Sequence, residues 1–213
     1  MNKEIAAIRQ EYCLNELTRD SVNDDPLLQF KKWFDEALRA EVIYPTAMTL
    51  ATTGSDCRPA ARVVLLKDLN SKGLSFFTNY ESKKGKQLEE NPRAALVFFW
   101  PELERQVRFE GVAKKVPLHE SDEYFDSRPA GSKAGAWASR QSRVIASRQV
   151  LESEMLKISS RFSDQPIPRP PYWGGYRLLP DLAEFWQGRY SRLHDRIEYI
   201  RHQDIWSIRR LSP

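Results

Sequence analysis

The stretch TAMTLATTGSDCRPAARVVLLK, residues 46–67, holds two extended runs around a turn. TAMTLATT (46–53) and AARVVLLK (60–67) are rich in apolar and β-branched residues, and GSDCRP between them gathers residues that break regular structure. Runs this close in sequence pair as antiparallel neighbours. Outward from this pair, SKG (71–73) turns the chain into a third run, LSFFTNY (74–80). RAALVFFW (93–100) reads as a buried strand, and RQVRFEGVAKKV (105–116) alternates as a half-exposed strand does. The C-terminal end is β again: YWGGYRLL (172–179), LAEFWQG (182–188), RLHDRIEYIR (192–201) and IWSIRRL (205–211).

Helices fall between these strands. In DDPLLQFKKWFDEALRAE (24–41), Asp24 or Asp25 can cap, Pro26 suits the first turn, and Leu27, Phe30, Phe34 and Leu38 form an apolar stripe. ESKKGKQLEENP (81–92) predicts a short helix capped by Ser82 and ended before Pro92. Further helices are expected at 118–127 and 131–139. Over 147–162, Leu151, Met155, Ile158 and Phe162 share a face at helical spacing. A proline-rich loop, QPIPRPP (165–171), precedes the final strands. Many strands with a few helices predict an α+β protein built on an antiparallel barrel. It is expected as one domain over 24–213 behind a polar, loosely held arm at 1–23.

With 213 residues, 41% hydrophobic and well supplied with aromatics, the chain is expected to fold around a core rather than stay disordered. A net charge of +4 admits a phosphorylated ligand without demanding nucleic acid. Cys13 and Cys57 lack CxxC spacing and read as free thiols in a reducing compartment. The first residues hold no apolar segment of signal-peptide length, and the longest apolar run, AALVFFW (94–100), is too short to span a bilayer. The expectation is a cytoplasmic protein with no membrane partner. His119, His194 and His202 lie in no zinc spacing, so no metal is expected, and neither GxGxxG nor a Walker A pattern occurs. A basic, aromatic barrel can suit single-stranded nucleic acid. Here the cations are scattered among buried-looking strands, which speaks against it.

The cations pose the functional question. Arg62 and Lys67 stand at the two ends of RVVLLK, and their odd separation puts them on opposite strand faces. They serve two anions, or simply reach water as strand-end charges do. Lys83 and Lys84 follow Ser82 at a helix start, where free N–H groups and the helix dipole disfavour cations unless a phosphate is bound. Two solvated lysines are the plainer alternative. Tyr124 and Arg128 are four apart on a helical face and Ser132 begins the next helix, giving a phosphate clamp or an ordinary junction. In SRLHDR (191–196), a strand would put Arg192, His194 and Arg196 on one face about 7 Å apart, toward water or an anionic ligand.

The stretches RVVLLK, FFTNYESKKG, NPRAAL, LERQVR, YFDSRP, GAW, SRQS, FWQG and RLHDR run in order to the C-terminal RRLSP. Together they resemble the pyridoxine/pyridoxamine 5'-phosphate oxidase family of FMN enzymes over most of the chain. RLHDR after FWQG is the most specific element. The resemblance implies an antiparallel split β-barrel with peripheral helices and a homodimer with FMN at the subunit interface. It also implies oxidation of pyridoxine 5'-phosphate or pyridoxamine 5'-phosphate to pyridoxal 5'-phosphate, by hydride transfer to flavin with O2 reduced to H2O2.

By the same resemblance, Arg62, Lys83 and Lys84 hold the FMN phosphate with Thr78 nearby. Val63, Val64, Leu65, Leu66, Lys67 and Phe77 adjoin the cofactor. Gln106, Gln141, Ser142, Trp186 and Arg196 complete the flavin site, some from the partner subunit. Lys67, Tyr124, Arg128 and Ser132 take the substrate phosphate, and Arg192 and His194 flank its ring as the catalytic pair. Arg9 and Tyr12 in the arm receive no role. One departure stands out: Ser82-Lys83-Lys84-Gly85 replaces the family's common Ser-Arg-Lys-Ala. Lysine loses the planar fork of arginine, and glycine lowers helix propensity by about 1 kcal/mol, so weaker FMN retention is expected. The rival readings are a split-barrel flavin reductase and a non-enzymatic barrel that binds nucleic acid or stores a cofactor.

Overall fold

In the computed structural model, which describes residues 11–213, the runs flanking GSDCRP form β1 (Ala47–Thr53) and β2 (Pro59–Leu65). They pair antiparallel from Ala47 opposite Leu65 to Thr53 opposite Pro59. The chain continues through β3 (Asp68–Asn70), β4 (Gly73–Asn79), helix α2 (Lys83–Glu90), β5 (Arg93–Trp100) and β6 (Arg105–Lys115). Helix α1 (Pro26–Arg39) precedes β1. After β6 come α3 (Leu118–Asp126), α4 (Ala130–Ala138) and α5 (Arg148–Arg161), then β7 (Trp173–Gln187), β8 (Asp195–His202) and β9 (Ile205–Leu211). All pairs in the sheet are antiparallel, in the order β2-β1-β5-β6-β7-β4-β3, with β8 between β7 and β9.

Strand β7 organises the sheet. It pairs with β6 along its length, while its first half also pairs with β4 and its second half with β8. One edge of β7 therefore serves two different neighbours, and the sheet opens there into a split half-barrel. The sequence reading broke this strand in two around Pro180, but the strand runs through. Glu110 pairs with Leu182 and Gly111 with Pro180, so Asp181 is an extra residue at a bulge. A bulge bends a strand and sharpens its twist, which lets the proline stay in the ladder. Gly111 makes the approach possible: a Cβ there would stand 2.1 Å from the Leu179 carbonyl oxygen.

Inside the curl, Leu50, Leu96, Phe98, Val107 and Phe109 alternate inward from β1, β5 and β6 and are fully buried. Helix α1 closes over them. The Asp25 side chain accepts from the N–H groups of Leu27 and Leu28, with Pro26 in the first turn. Phe30 packs 4.7 Å from Phe98 and 5.3 Å from Phe109. The buried stripe is rotated from the expected one: Trp33 and Ala37 are buried, and Leu38 faces water. Each buried large apolar side chain contributes about 1.5–3 kcal/mol relative to exposure.

Two other expectations change. Helix α5 has its expected span but no buried residue; Leu151, Met155, Ile158 and Phe162 are half-buried, and Phe162 meets Trp137 of α4 at 5.9 Å. RLHDR does not enter a strand until Asp195. Tyr190–Arg192 is a short 3-10 turn in which Ser191 and Arg192 take φ of 54° and 60°. Arg192, His194 and Arg196 therefore share no strand face. The Arg189 N–H donates to His194 Nδ1 at 3.1 Å, so the turn closes on the histidine.

Of the arm expected at 1–23, residues 1–10, with Arg9, lie outside the described residues. From Glu11 the chain is tied to the barrel. Glu104 Oε2 accepts from the N–H groups of Cys13 and Leu14, Asp195 Oδ2 accepts from the Leu17 N–H, and Leu17 and Val22 are buried. Among the described residues no helix is long and apolar enough to cross a membrane. The architecture is an α+β fold on an antiparallel split β-barrel. Gly111→Ala should destabilise it by about 1–3 kcal/mol in urea denaturation, since backbone must move to admit the methyl group; an unchanged midpoint contradicts this account of the bulge.

Candidate active site

A cleft of about 980 Å³ lies between β2, β4, the start of α2, the α3–α4 junction and residues 139–142. Five cations line it: Arg62, Lys67, Lys83, Lys84 and Arg128. No aspartate or glutamate lines it, and none of the five is ion-paired among the described residues. Val63, Val64, Leu65, Phe77, Thr78, Tyr124, Ser132, Gln141 and Ser142 line the same space. Leu66 does not; it is buried in the core, its N–H on the Thr46 carbonyl at 2.8 Å.

Local structure explains why Arg62 and Lys67 meet. Strict alternation would separate them, but β2 ends at Leu65. Lys67 lies beyond it, its N–H on the Ser75 carbonyl at 2.9 Å, and both side chains reach one cleft. Arg62 Nη1 donates to the Leu50 carbonyl at 3.1 Å and to Thr52 Oγ1 at 2.5 Å. Burial lowers the Arg62 pKa.

The start of α2 supplies the lysines. Ser82 caps it by accepting from the Gly85 N–H, and Lys83 opens the helix. Lys84 Nζ donates to Thr78 Oγ1 and Gln141 Oε1, each at 3.1 Å. Burial, then the nearby Arg62 charge, pushes the Lys84 pKa down to about 8. Gly85 does more than weaken a helix. A Cβ there would sit 2.1 Å from the Tyr80 carbonyl oxygen, so glycine lets the lysine-bearing turn seat tightly on the end of β4.

At the other end of the cleft, Tyr124 stacks on Phe77 at 4.0 Å, and both are near-parallel to Trp173. The Arg128 guanidinium lies over the Trp173 ring at 4.7 Å. Helix α3 stops at Asp126, so Arg128 is held past the helix end, its N–H on the Phe125 carbonyl, rather than on a shared helical face with Tyr124. Burial lowers its pKa, and its Nη1 is buried with no hydrogen-bond partner. A buried cationic donor left unpaired is costly, and an anionic oxygen relieves that cost.

The remaining predicted residues gather elsewhere. Gln106 and Arg196 each pair with Trp186 across the ladder, and the His194 ring is 4.6 Å from Trp186. Arg196 Nε and Nη2 donate to Glu184, each at 3.0 Å, and Glu184 also binds Arg108. Burial alone would raise the Glu184 pKa, but the two arginines outweigh it and hold it low. Burial, then Arg192, lowers the His194 pKa. With Nδ1 accepting from Arg189, the neutral ring carries its proton on Nε2. Arg192 is exposed. None of these residues lines the cleft. Trp173 and Trp186 mark the two clusters at opposite ends of β7, about 40 Å apart along the strand.

Thr52, Gln87, Trp173 and Glu184 are not singled out by the sequence, and Tyr12 is named there without a role. Glu184 was legible as a carboxylate inside the apolar run LAEFWQG. Tyr12 lies 5.7 Å from both Trp186 and His194, a long-range contact with no local signal.

A curled antiparallel half-barrel of this form is a split barrel. A pyridoxamine 5'-phosphate oxidase-related, FMN binding protein from Nostoc punctiforme superposes with a TM-score of 0.69 at 19% identity, over 86% of this chain and 97% of that one. Residues 34–162 match the pyridoxamine 5'-phosphate oxidase family, and residues 173–213 match the pyridoxine 5'-phosphate oxidase C-terminal dimerisation region. A pyridoxine/pyridoxamine 5'-phosphate oxidase of Burkholderia lata is 56% identical over 212 residues, covering 98% of this chain and 99% of the relative. The crystal structure of PhzG from Burkholderia lata, in complex with tetrahydrophenazine-1-carboxylic acid, superposes with a TM-score of 0.89 at 31% identity, over 94% and 99% of the two chains. The chain belongs to the pyridoxamine 5'-phosphate oxidase family.

The lowered Lys84 pKa gives a pH test. As pH rises through about 8 the free cleft loses one positive charge, so affinity for a phosphate monoester dianion falls. The fall should approach about tenfold per unit above that point. Titration of the ligand-free protein with FMN from pH 7 to 9.5 should show it, and Lys84→Met should flatten the slope; an equal slope in both contradicts the assignment to Lys84.

Proposed function

We propose that this protein oxidises pyridoxine 5'-phosphate or pyridoxamine 5'-phosphate to pyridoxal 5'-phosphate, as a homodimer with FMN as cofactor and dioxygen as final acceptor. The observation that carries this reading is a cleft lined by five cations and by no aspartate or glutamate among the described residues. Arg62, Lys83 and Lys84, with the Thr78 hydroxyl, fit one phosphate. Lys67 and Arg128, with the hydroxyls of Tyr124 and Ser132, fit a second. The unpaired Arg128 Nη1 and the crowded Lys84 ammonium are what such ligands would satisfy. Family membership and 56% identity to the Burkholderia lata oxidase support the same substrates.

The chemistry supplied by bound FMN is hydride acceptance from the substrate's 4' carbon and passage of the electrons to dioxygen, giving hydrogen peroxide. The chain's own residues do the rest. Lys67, Tyr124, Arg128 and Ser132 fix the phosphate end, which holds the ring in reactive geometry. Gln141, which accepts from Lys84, and Ser142, which lines the same cleft, close the cofactor end. Gln106, Trp186, Arg192, His194 and Arg196 stand outside this chain's cleft, so a second copy would bring them to it. The match of residues 173–213 to a dimerisation region supports that arrangement. Arg192 then orients the ring, and His194 donates from Nε2 to the phosphate or a ring substituent without serving as a base.

The likeness to PhzG favours one second reading, oxidation of a reduced phenazine carboxylate. The lower identity, 31%, and the five cations lining the cleft both weigh toward a phosphorylated substrate. The test is the visible spectrum of the purified protein and its anaerobic bleaching. Pyridoxine 5'-phosphate should bleach a bound flavin, and reoxidation in air should release peroxide. Bleaching by a dihydrophenazine carboxylate alone contradicts the proposal. Arg192→Ala should lower turnover per flavin by about 100-fold or more with FMN retained, in the range for lost positioning groups; Arg62→Ala should lose FMN on dialysis. An unchanged rate per flavin in the first variant, or full flavin content in the second, contradicts the role given to that residue.

A further inference from the structure

We infer that Gln87, acting through Thr52, is a positioning residue that sets the Arg62 guanidinium for a phosphate and ties the two sides of that anion pocket together. Both side chains are buried: Thr52 is 2% exposed and Gln87 7%. The Thr52 hydroxyl accepts from Arg62 Nη1 at 2.5 Å and donates to Gln87 Oε1 at 2.8 Å. Gln87 Oε1 also accepts from Arg62 Nη2 at 3.4 Å. With the Leu50 carbonyl also on Nη1, both Nη1 hydrogens are engaged, while Nη2 keeps one N–H, and Nε its own, without a partner among the described residues.

The neutral amide is the part of this arrangement that matters. Most buried or half-buried arginines of this protein are held by carboxylates: Arg105 by Glu36, Arg177 by Glu120, and Arg108 and Arg196 by Glu184. A carboxylate fixes a guanidinium but cancels its charge toward a ligand. Gln87 fixes the same fork and leaves the charge available. Its position adds a second effect. Gln87 lies one helical turn after Lys83 and three residues after Lys84 on α2, whereas Arg62 and Thr52 belong to β2 and β1. The Gln87–Thr52–Arg62 chain therefore bridges the lysine-bearing helix start to the arginine-bearing strand, and Lys84 stands close enough to Arg62 to feel its charge.

This inference rests on the reading of Arg62, Lys83 and Lys84 as the FMN-phosphate pocket, and the test separates the two. The ligand-free protein is titrated with FMN and with riboflavin, which lacks the phosphate, following flavin fluorescence. Gln87→Glu, which keeps the shape and adds a negative charge, should weaken FMN binding by about tenfold or more, the scale of a lost charged hydrogen bond. Gln87→Met, which removes the acceptor, should weaken it less, and riboflavin affinity should stay at the wild-type value in both. Should Gln87→Glu fail to fold, as judged by its melting temperature, Gln87→Met carries the test alone. Wild-type FMN affinity in a folded variant overturns the inference, as does an equal loss for FMN and riboflavin, which marks a purely structural role. Arg62→Ala is measured alongside. If it too keeps wild-type FMN affinity, the pocket assignment fails; if it loses FMN while the Gln87 variants do not, only the positioning role fails.

Discussion

Positive charge without a matching carboxylate is the constraint on which the cleft depends. The protein is not short of acids, with 29 against 33 lysines and arginines. Its acids neutralise arginines elsewhere, through Glu36, Glu120 and Glu184. Among the described residues the cleft cations pair with no carboxylate, and Arg62, Lys84 and Arg128 meet hydroxyls, amides, carbonyls and aromatic faces. Neutral partners hold side chains in place without lowering the field they project. The lowered Lys84 pKa records the resulting strain, since burial and Arg62 both oppose its charge. A ligand carrying a dianion relieves that strain, and this differential is what the fold offers to phosphates.

The barrel makes the concentration of charge possible by ending regular structure at the right residues. Strand β2 stops before Lys67, α3 stops before Arg128, and α2 begins on Ser82 beside Tyr80. Four of the five cations thus sit at an element end, where the backbone leaves the ladder or helix and the side chain can turn into shared space, while Arg62 reaches the cleft from within β2. Strand β7 then links the two functional clusters, with Trp173 under Arg128 at its start and Trp186 beside His194 at its end. The bulge at Asp181 bends the strand between them.

Much of this was legible in the sequence because it depends on local patterns. The strand pair around GSDCRP, the capped start of α1 and the Ser82 cap follow from composition and spacing. Arg62, Lys67, Lys83, Lys84, Tyr124, Arg128 and Ser132 stood out by residue type and position, but grouping them into one site needed the resemblance, since alternation separated Arg62 from Lys67 by ignoring the strand end at Leu65. RLHDR misled for a related reason: its alternation looks extended, but residues 191 and 192 take left-handed backbone angles that no periodicity reports. The Thr52–Gln87 support and the Tyr12 contacts join residues far apart in the chain, and a buried polar partner leaves no trace in its own neighbourhood. Pro180 looked like a break because a bulge is set by the opposing strand.

The central claim is that one cleft offers two separate phosphate pockets. The direct measurement is calorimetric titration of the ligand-free protein with FMN, followed by titration of the FMN-loaded protein with pyridoxal 5'-phosphate. The account predicts one FMN per chain and then one vitamin phosphate per chain, without displacement of FMN. Displacement of FMN by the second ligand, or no second binding event, would contradict it.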